Sequence, residues 1–295
     1  MRLPLPHGVV PVNLERYTAI VDEFESMLRV GTEISSRLGG TTASETHLSY
    51  ADSIYTKLLC HAISLHKLSP QVRTEPEHEL WDLPSACAIA RCIIEAHDVL
   101  DYMVFSDISS EEREFRVLLW RLHDQQRRSK MLQAIGSKHA MADAIHEQAR
   151  TLNDKVICHP WFINVTKHLQ GKIKSGDAPS FLLSQRELNK ANAINHQYHT
   201  SATMWLSQYV HTFPMSLHQL NEFRAGTAEA LHLSAMPIQY TLGFLARAIT
   251  KMSGKFREAN IELTSRDRVL FTTWCSVVEN GVTVATGSPV SPSDS

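Results

Sequence analysis

The sequence has few glycines and none of the motifs that bind nucleotides or activate a serine. Its 295 residues include 12 glycines, and no glycine-rich phosphate loop precedes a candidate helix. A Gly-x-Ser-x-Gly motif, which exposes a nucleophilic serine at the end of a strand, is also missing. No segment alternates between apolar and polar residues for long enough to require a sheet. These absences exclude Rossmann and P-loop folds.

Neither a charge excess nor a long apolar run marks the chain. Lys and Arg number 29 against 31 Asp and Glu, for a net charge of -2, so the overall charge does not indicate nucleic acid or a membrane surface. The longest uncharged run, residues 230–246, contains a histidine, a serine, a proline and a glutamine. It falls short of the roughly 20 mostly apolar residues of a spanning helix. The first 13 residues carry three prolines and lack the apolar core of a signal peptide.

A disulfide framework is not expected. The five cysteines are odd in number and show no Cys-x-x-Cys spacing. Several lie in apolar helical runs, where a free cysteine behaves as a small hydrophobic residue. This usage favours a reducing compartment, and we predict a soluble protein of the cytoplasm.

The chain does contain a succession of helical patterns. The most apolar one, residues 83–105, has apolar side chains on nearly every side, which is typical of a helix surrounded by protein. Start and stop signals predict about nine helices in one compact all-α bundle over residues 14–280. Residues 1–13 are expected to form an extended arm, and residues 281–295, small and polar with prolines, a disordered tail.

The central helix carries charges that need an explanation. Arg91 and Glu95 are four residues apart and therefore neighbours on one helix face. Asp98 and Tyr102 continue that face. The pair is interpreted either as a buried ion pair that sets the helix register, or as part of a polar pocket that a second helix closes.

The best candidate for the second helix is residues 198–211, where Ser207 and His211 share a face and Tyr209 packs. The segment ARCIIEAHDVLDYMV, followed later by WLSQYVHTFPMSL, resembles an uncharacterised bacterial all-helical family that pairs an Arg-x-x-x-Glu helix with a Tyr- and Ser-containing helix ending in His. The resemblance covers roughly residues 45–220. It implies an all-helical fold and a cluster of Arg91, Glu95, Tyr209 and His211, and brings no established activity.

Arg91 and His97 also match the Arg-to-His spacing of HEPN-type ribonucleases, which are helical and usually dimeric. In such metal-independent RNA cleavage His moves protons and Arg stabilises the phosphate charge. Two features differ from that family. Cys92 follows Arg91 where the family usually has a polar residue, and six residues of straight helix turn His97 away from Arg91.

Two carboxylate-x-x-His pairs on predicted helices suggest a third chemistry. Two such pairs with two lone carboxylates form the di-metal sites of helical bundles. The residues concerned are Asp143, His146, Glu229 and His232, with Glu33 and Glu95 as the lone carboxylates.

One predicted helix, residues 110–135, is strongly basic. Its cations, with Trp120 among them, are Arg113, Arg116, Arg121, Arg127, Arg128 and Lys130. The first interpretation is a solvated face on which neighbouring carboxylates are local partners. The alternative is a surface for RNA or an acidic partner.

The leading hypothesis is a non-catalytic helical interaction or regulatory protein, homo-oligomeric and without cofactor or metal. In it Arg91, Glu95 and His211 form a structural polar cluster, beside the binding candidates Asp98, Tyr102, Ser207 and Tyr209. The rival is a HEPN-like endoribonuclease of the toxin or phage-defence kind, with Arg91 as phosphate stabiliser and His97 or His211 as acid and base. A di-metal oxidase is the third hypothesis. A protein partner or self-association is expected, RNA is the alternative, and no membrane is expected.

Overall fold

A computed structural model describes residues 12–40, 45–70, 81–222 and 224–281, without the side chains of Ala140 and Glu222. These residues are helical or form loops and include no strand, so the predicted all-α class is confirmed. The α-helices are α1 Leu14–Leu38, α2 Thr46–Leu68, α3 Leu83–Leu100, α4 Ser110–Ala134, α5 Ala140–Cys158, α6 Lys167–Lys174, α7 Gln185–Ala191, α8 His196–Val210, α9 Pro214–Glu222, α10 Ala228–Lys255 and α11 Ser265–Asn280. Short 3-10 helices cover Pro160–Asn164 and Arg257–Ala259.

The number of helices is eleven in the described residues, against the expected nine or so. The helix that the sequence interpretation missed is α9, which begins at Pro214. A proline fits the first position of a helix because its missing N–H would have no partner there. The predicted disordered tail, residues 281–295, lies outside the described residues except for Gly281, as does the arm except for Val12 and Asn13.

The chain divides into two compact units. Among the described residues, unit 1 comprises 12–34, 58–70, 81–95, 193–222 and 224–281, and unit 2 comprises 35–40, 45–57 and 96–192. Residues of α2 and α3 are thus divided between the units. The single domain expected over residues 14–280 stays a prediction.

Unit 2 is built on the antiparallel pair α4 and α5. Its fully or nearly buried apolar residues are Phe115, Leu119, Leu122, Leu152, Val156, Phe162, Val165, Ile173 and Ala178. The three from α4 are spaced at i, i+4 and i+7, which places them on one helix face. Ser109 caps the start of α4 by accepting a hydrogen bond from the Glu112 amide at 3.1 Å.

The end of the central helix departs from the prediction. Residues 83–100 are α-helical, but Asp101–Phe105 form a π-helix. The Ser106 hydroxyl donates to the carbonyl oxygens of Asp101 and Tyr102 at 3.1 and 3.2 Å. Wider turns of this kind leave carbonyls that need other donors, and the apolar pattern carried no sign of them.

Unit 1 is organised around α10, most of which is buried. Helix α11 packs closely on α10 at Gly243, where a Cβ would lie 2.2 Å from Val278 Cγ2 and 2.7 Å from the Trp274 carbonyl oxygen. Helix α1 buries one apolar face, which includes Tyr17, Ile20 and Phe24. No helix among the described residues meets the length and apolarity of a membrane-crossing segment.

Candidate functional site

Arg91 and Glu95 form the predicted pair, and α8 completes its surroundings. Arg91 Nε donates to Glu95 Oε1 at 2.8 Å. Its Nη1 donates to the Thr203 carbonyl oxygen at 3.2 Å and to Ser207 Oγ at 3.3 Å. The Ser207 hydroxyl in turn donates to the same Thr203 carbonyl at 2.7 Å. These bonds lie within unit 1 and hold the guanidinium in one orientation against α8.

The interpretation of this pair as a buried ion pair is wrong. The Arg91 side chain is 31% exposed and that of Glu95 59% exposed. Water therefore screens the charges, and the pair contributes little to stability beyond its hydrogen bonds. Only Arg91 has the partial enclosure expected of a residue in a polar pocket.

The other predicted residues of α8 have different surroundings. Among the described residues, the hydrogen-bond partners of Arg91 are Glu95, Thr203 and Ser207, and His211 is not one of them. His211 is exposed at the end of α8, with its ring 5.4 Å from that of Phe213. The buried Tyr209 donates its hydroxyl proton to the Gln219 side chain, and burial raises the pKa of this phenol well above its usual range.

His97 and Asp98 are buried in unit 2. The His97 ring is fully buried, with Nδ1 3.5 Å from Asp98 Oδ1 and Nε2 3.7 Å from Asp101 Oδ2. Asp98 Oδ2 also accepts a hydrogen bond from Gln185 at 3.0 Å. An acid or base that exchanges protons with RNA has to reach the substrate, and a ring with no exposed surface reaches none in this conformation.

Tyr102 is enclosed by α4 and by the loop before α7. Its hydroxyl accepts a hydrogen bond from the Leu182 amide at 3.1 Å. The Arg116 guanidinium lies 4.1 Å from the centre of its ring, a cation–π contact. Burial raises the pKa of Tyr102, while Arg116 and the Leu182 amide act in the opposite direction.

The described residues do not assemble the ligands of a di-metal centre. They contain no group of three or more His, Cys, Asp or Glu side chains arranged to hold a metal ion. Asp143 and His146 belong to unit 2, whereas Glu229 and His232 belong to unit 1. His146 Nδ1 is 3.1 Å from the Ser129 hydroxyl, within hydrogen-bond distance.

The interpretation of the basic helix as a solvated face is wrong for its first two arginines. Arg116 is 4% exposed and binds Glu112 at 2.6 Å and the Tyr102 carbonyl oxygen at 3.1 Å. Arg113, half-buried, donates to the carbonyl oxygens of Ser106 at 2.7 Å and Val104 at 3.2 Å. Both cations supply donors to the end of the π-helix, as cations do at helix C-termini.

Three of the remaining cations of α4, Arg121, Arg127 and Arg128, line an open groove with a volume of about 1010 Å³. It lies within unit 2, between α4 and α5, and is called the α4–α5 groove below. Its lining residues are Tyr50, Trp120, Arg121, His123, Asp124, Gln125, Arg127, Arg128, Ala144, Glu147, Gln148, Thr151, Leu152 and Lys155.

The charges of the α4–α5 groove are unevenly paired. Both carboxylates of the lining are neutralised, Asp124 by Arg128 at 2.9 Å and Glu147 by Arg150, also at 2.9 Å. Three exposed cations, Arg121, Arg127 and Lys155, form no ion pair within the described part of the chain.

A cation of the groove also affects the pKa of a carboxylate outside its lining. The pKa of Asp177 is lowered chiefly by its hydrogen bond and ion pair with Lys130, with a smaller contribution from Arg127. The lining of the groove carries an excess of positive charge, four cations against two carboxylates. Such an excess attracts anions.

Two parts of the groove were not predicted from the sequence. Trp120 and the α4 arginines were singled out, but Lys155 and Gln148 of α5 were not. The five-residue connection between α4 and α5, residues 135–139, is typical of an antiparallel helix pair, so their positions could have been inferred. Tyr50 comes from α2, and nothing in the sequence indicates that it contacts Trp120.

No family model matches this chain, and comparisons with curated proteins and with solved structures found no significant match. Both family resemblances noted in the sequence stay predictions.

Proposed function

We propose that this protein is a non-catalytic helical interaction protein that binds an acidic partner in the α4–α5 groove. The observation that carries the proposal is a set of three exposed cations on one concave surface, Arg121, Arg127 and Lys155, which have no ion-pair partner in the described part of the chain. Positive charge that is concentrated in a cleft raises the local concentration and the association rate of an anionic partner.

In this proposal the Arg91 group has an architectural role. Arg91 holds α3 to α8 through Thr203 and Ser207, and Glu95 orients the guanidinium. Asp98 and Tyr102 also have an architectural role, in unit 2. Asp98 accepts a hydrogen bond from Gln185, and the Tyr102 hydroxyl accepts one from the Leu182 amide. Self-association of the chain stays a prediction, and the mass of the particle in solution tests it.

The test of the proposal is a binding assay with two acidic polymers, polyglutamate and RNA. We expect the wild-type chain to bind at least one of them without altering it, and the Arg121→Ala/Arg127→Ala/Lys155→Ala variant to lose that binding. A matched control removes three exposed cations of the same unit outside the groove, Lys167, Arg186 and Lys190. If the wild-type chain binds neither polymer, the proposal is contradicted.

A second candidate function is the HEPN-like ribonuclease. Its supporting observation is that Arg91 stays partly exposed beside Ser207, while the exposed His211 lies one helical turn beyond Ser207. Here Arg91 would stabilise the phosphate and His211 would act as acid and base. RNA that is cleaved by the wild-type chain, and left intact by folded Arg91→Ala and His211→Ala variants, favours this candidate over the interaction protein.

A further inference from the structure

The α4–α5 groove contains an aromatic pair as well as cations. The rings of Tyr50 and Trp120 meet edge to face, with centroids 5.0 Å apart and an interplanar angle of 89°. In this arrangement one ring uses an edge and the other a single face, so each ring keeps a face that the other does not cover. Both side chains are half-buried and line the groove.

The cations lie beside these rings on successive turns of α4. Arg121 and Arg128 are seven residues apart, hence on one side of the helix and about 10 Å from each other along its axis. Trp120 and Arg127 have the same spacing and form the adjacent row. An arginine guanidinium matches the geometry of a phosphate group through paired hydrogen bonds, which a lysine ammonium does not.

The α5 wall of the groove carries one cation, Lys155, and one carboxylate, Glu147, which pairs with Arg150. It presents Ala144, Gln148 and Thr151 before Lys155, at spacings of four, three and four residues that define one helix face. The cations of the groove therefore lie mainly on its α4 side, where Arg121, Arg127 and Arg128 line it.

Cations alone would serve any acidic partner, but the rings narrow the choice. An acidic peptide would use Arg121, Arg127 and Lys155 and leave Trp120 and Tyr50 unused. Single-stranded nucleic acid uses both kinds of side chain, because its phosphates need cations and its unpaired bases stack on aromatic rings. Bases in a duplex are already stacked on each other and offer no free face.

Building on the function proposed above, we infer that the partner of the α4–α5 groove is single-stranded nucleic acid. Its phosphates pair with Arg121, Arg127 and Lys155, and one base stacks on the Trp120–Tyr50 pair. The contacts are to the backbone and to a ring face, so binding has little sequence preference.

The experiment measures the affinity of the full chain for a labelled, mixed-sequence RNA of roughly ten nucleotides, within the usual site size of such grooves. Three phosphate contacts predict that log K falls with log salt concentration with a slope of about -2. The Arg121→Ala/Arg127→Ala/Lys155→Ala variant is expected to lose both the affinity and most of the slope. The control Lys167→Ala/Arg186→Ala/Lys190→Ala has the same change in net charge and is expected to keep both.

Stacking is tested separately from charge. Trp120→Leu is expected to weaken binding about 5- to 150-fold, the range that base–aromatic stacking supports, with an unchanged salt slope. Trp120→Phe keeps an aromatic face and is expected to bind within a few-fold of wild type. Circular dichroism of each variant shows whether it is folded, and the Phe variant keeps the test decisive if the Leu variant is not.

The outcomes separate this inference from the function on which it rests. Binding of polyglutamate but not of RNA overturns the inference and leaves the acidic partner in place. Binding of neither polymer overturns both. Equal affinity for a duplex also overturns the inference, because the groove would then not select unpaired bases. Equal loss of affinity in the control triple variant overturns it too, because the binding would then not depend on the cations of the groove.

Discussion

Two arginines of this chain show how burial sets the energetic weight of an ion pair. Arg91 and Arg116 each bind a glutamate four residues away and a backbone carbonyl. The Arg91 side chain is 31% exposed, whereas that of Arg116 is 4% exposed and also covers the Tyr102 ring. Removing one partner of a buried pair strands the other and its hydrogen-bonding groups.

We therefore predict that Arg91→Ala lowers the free energy of unfolding by about 1–2 kcal/mol, and Arg116→Ala by about 3–5 kcal/mol. Denaturant unfolding of both variants measures the difference. Equal losses in the two variants would contradict the importance given to burial here.

His232 gives unit 1 a pH dependence. The residue is 8% exposed, its Nδ1 has no hydrogen-bond partner among the described residues, and burial lowers its pKa from the usual value of about 6.5. Below that value the unfolded chain binds a proton that the folded chain takes up only at lower pH. Stability is therefore lost as the pH falls below about 6.5.

We predict that His232→Gln reduces this loss, which for one proton is at most about 1.4 kcal/mol per pH unit. Unfolding free energies measured from pH 7 down to pH 5 test it, with His168→Gln as the control for loss of an exposed histidine. A slope that is identical in wild type and His232→Gln rules His232 out as its source.

At the scale of elements, α10 and α11 of unit 1 pack closely because residue 243 is a glycine and has no Cβ. The approach of α11 to α10 leaves no room for a Cβ at Gly243, because Val278 Cγ2 and the Trp274 carbonyl would lie 2.2 and 2.7 Å from it. The carbonyl belongs to the backbone and can move only with the helix. Glycine at this position therefore costs helix propensity and permits the packing.

We predict that Gly243→Ala destabilises the fold by about 2–3 kcal/mol through overpacking. Val278→Ala added to it should recover part of the loss, since one of the two contacts is relieved. Gly171→Ala is the control: nothing lies within 4 Å of its Cβ position in α6, so alanine should stabilise by about 0.5–1 kcal/mol. A neutral Gly243→Ala would show that α10 and α11 are not so closely packed.

The end of the central helix also depends on contacts between elements. Arg113 and Arg116 of α4 donate to carbonyl oxygens of residues 102–106 and so complete the π-helix and the turn that follows. The sequence shows these arginines only as part of a basic run. Their role depends on the direction in which the chain reverses after Ser106, which the run does not encode.

At the scale of the whole molecule, the five cysteines report on burial. All are free thiols. Cys60 and Cys158 are exposed, Cys92 and Cys275 partly exposed, and Cys87 fully buried. Burial also raises the pKa of Cys87 and of Cys275, which lowers their reactive thiolate fraction.

We predict that a thiol reagent labels Cys60 and Cys158 first, then Cys92 and Cys275, and labels Cys87 only on unfolding. Mass spectrometry of the labelled peptides over time checks the order. A reductant should leave the unfolding midpoint unchanged, since no disulfide links these residues. Early labelling of Cys87 would contradict the burial of the α3 face that carries it.

The sequence by itself determined the all-α class, the bounds of α4 and α8 to within two residues, and the pairing of Arg91 with Glu95. All three follow from local rules: helical periodicity, caps such as Ser109, and the four-residue spacing of neighbours on a helix. Only the tertiary structure decided which polar groups are buried and which face solvent. It exposed Glu95, enclosed His97 and Arg116, and joined Tyr50 to Trp120 in the α4–α5 groove, because burial depends on distant segments that local periodicity does not describe.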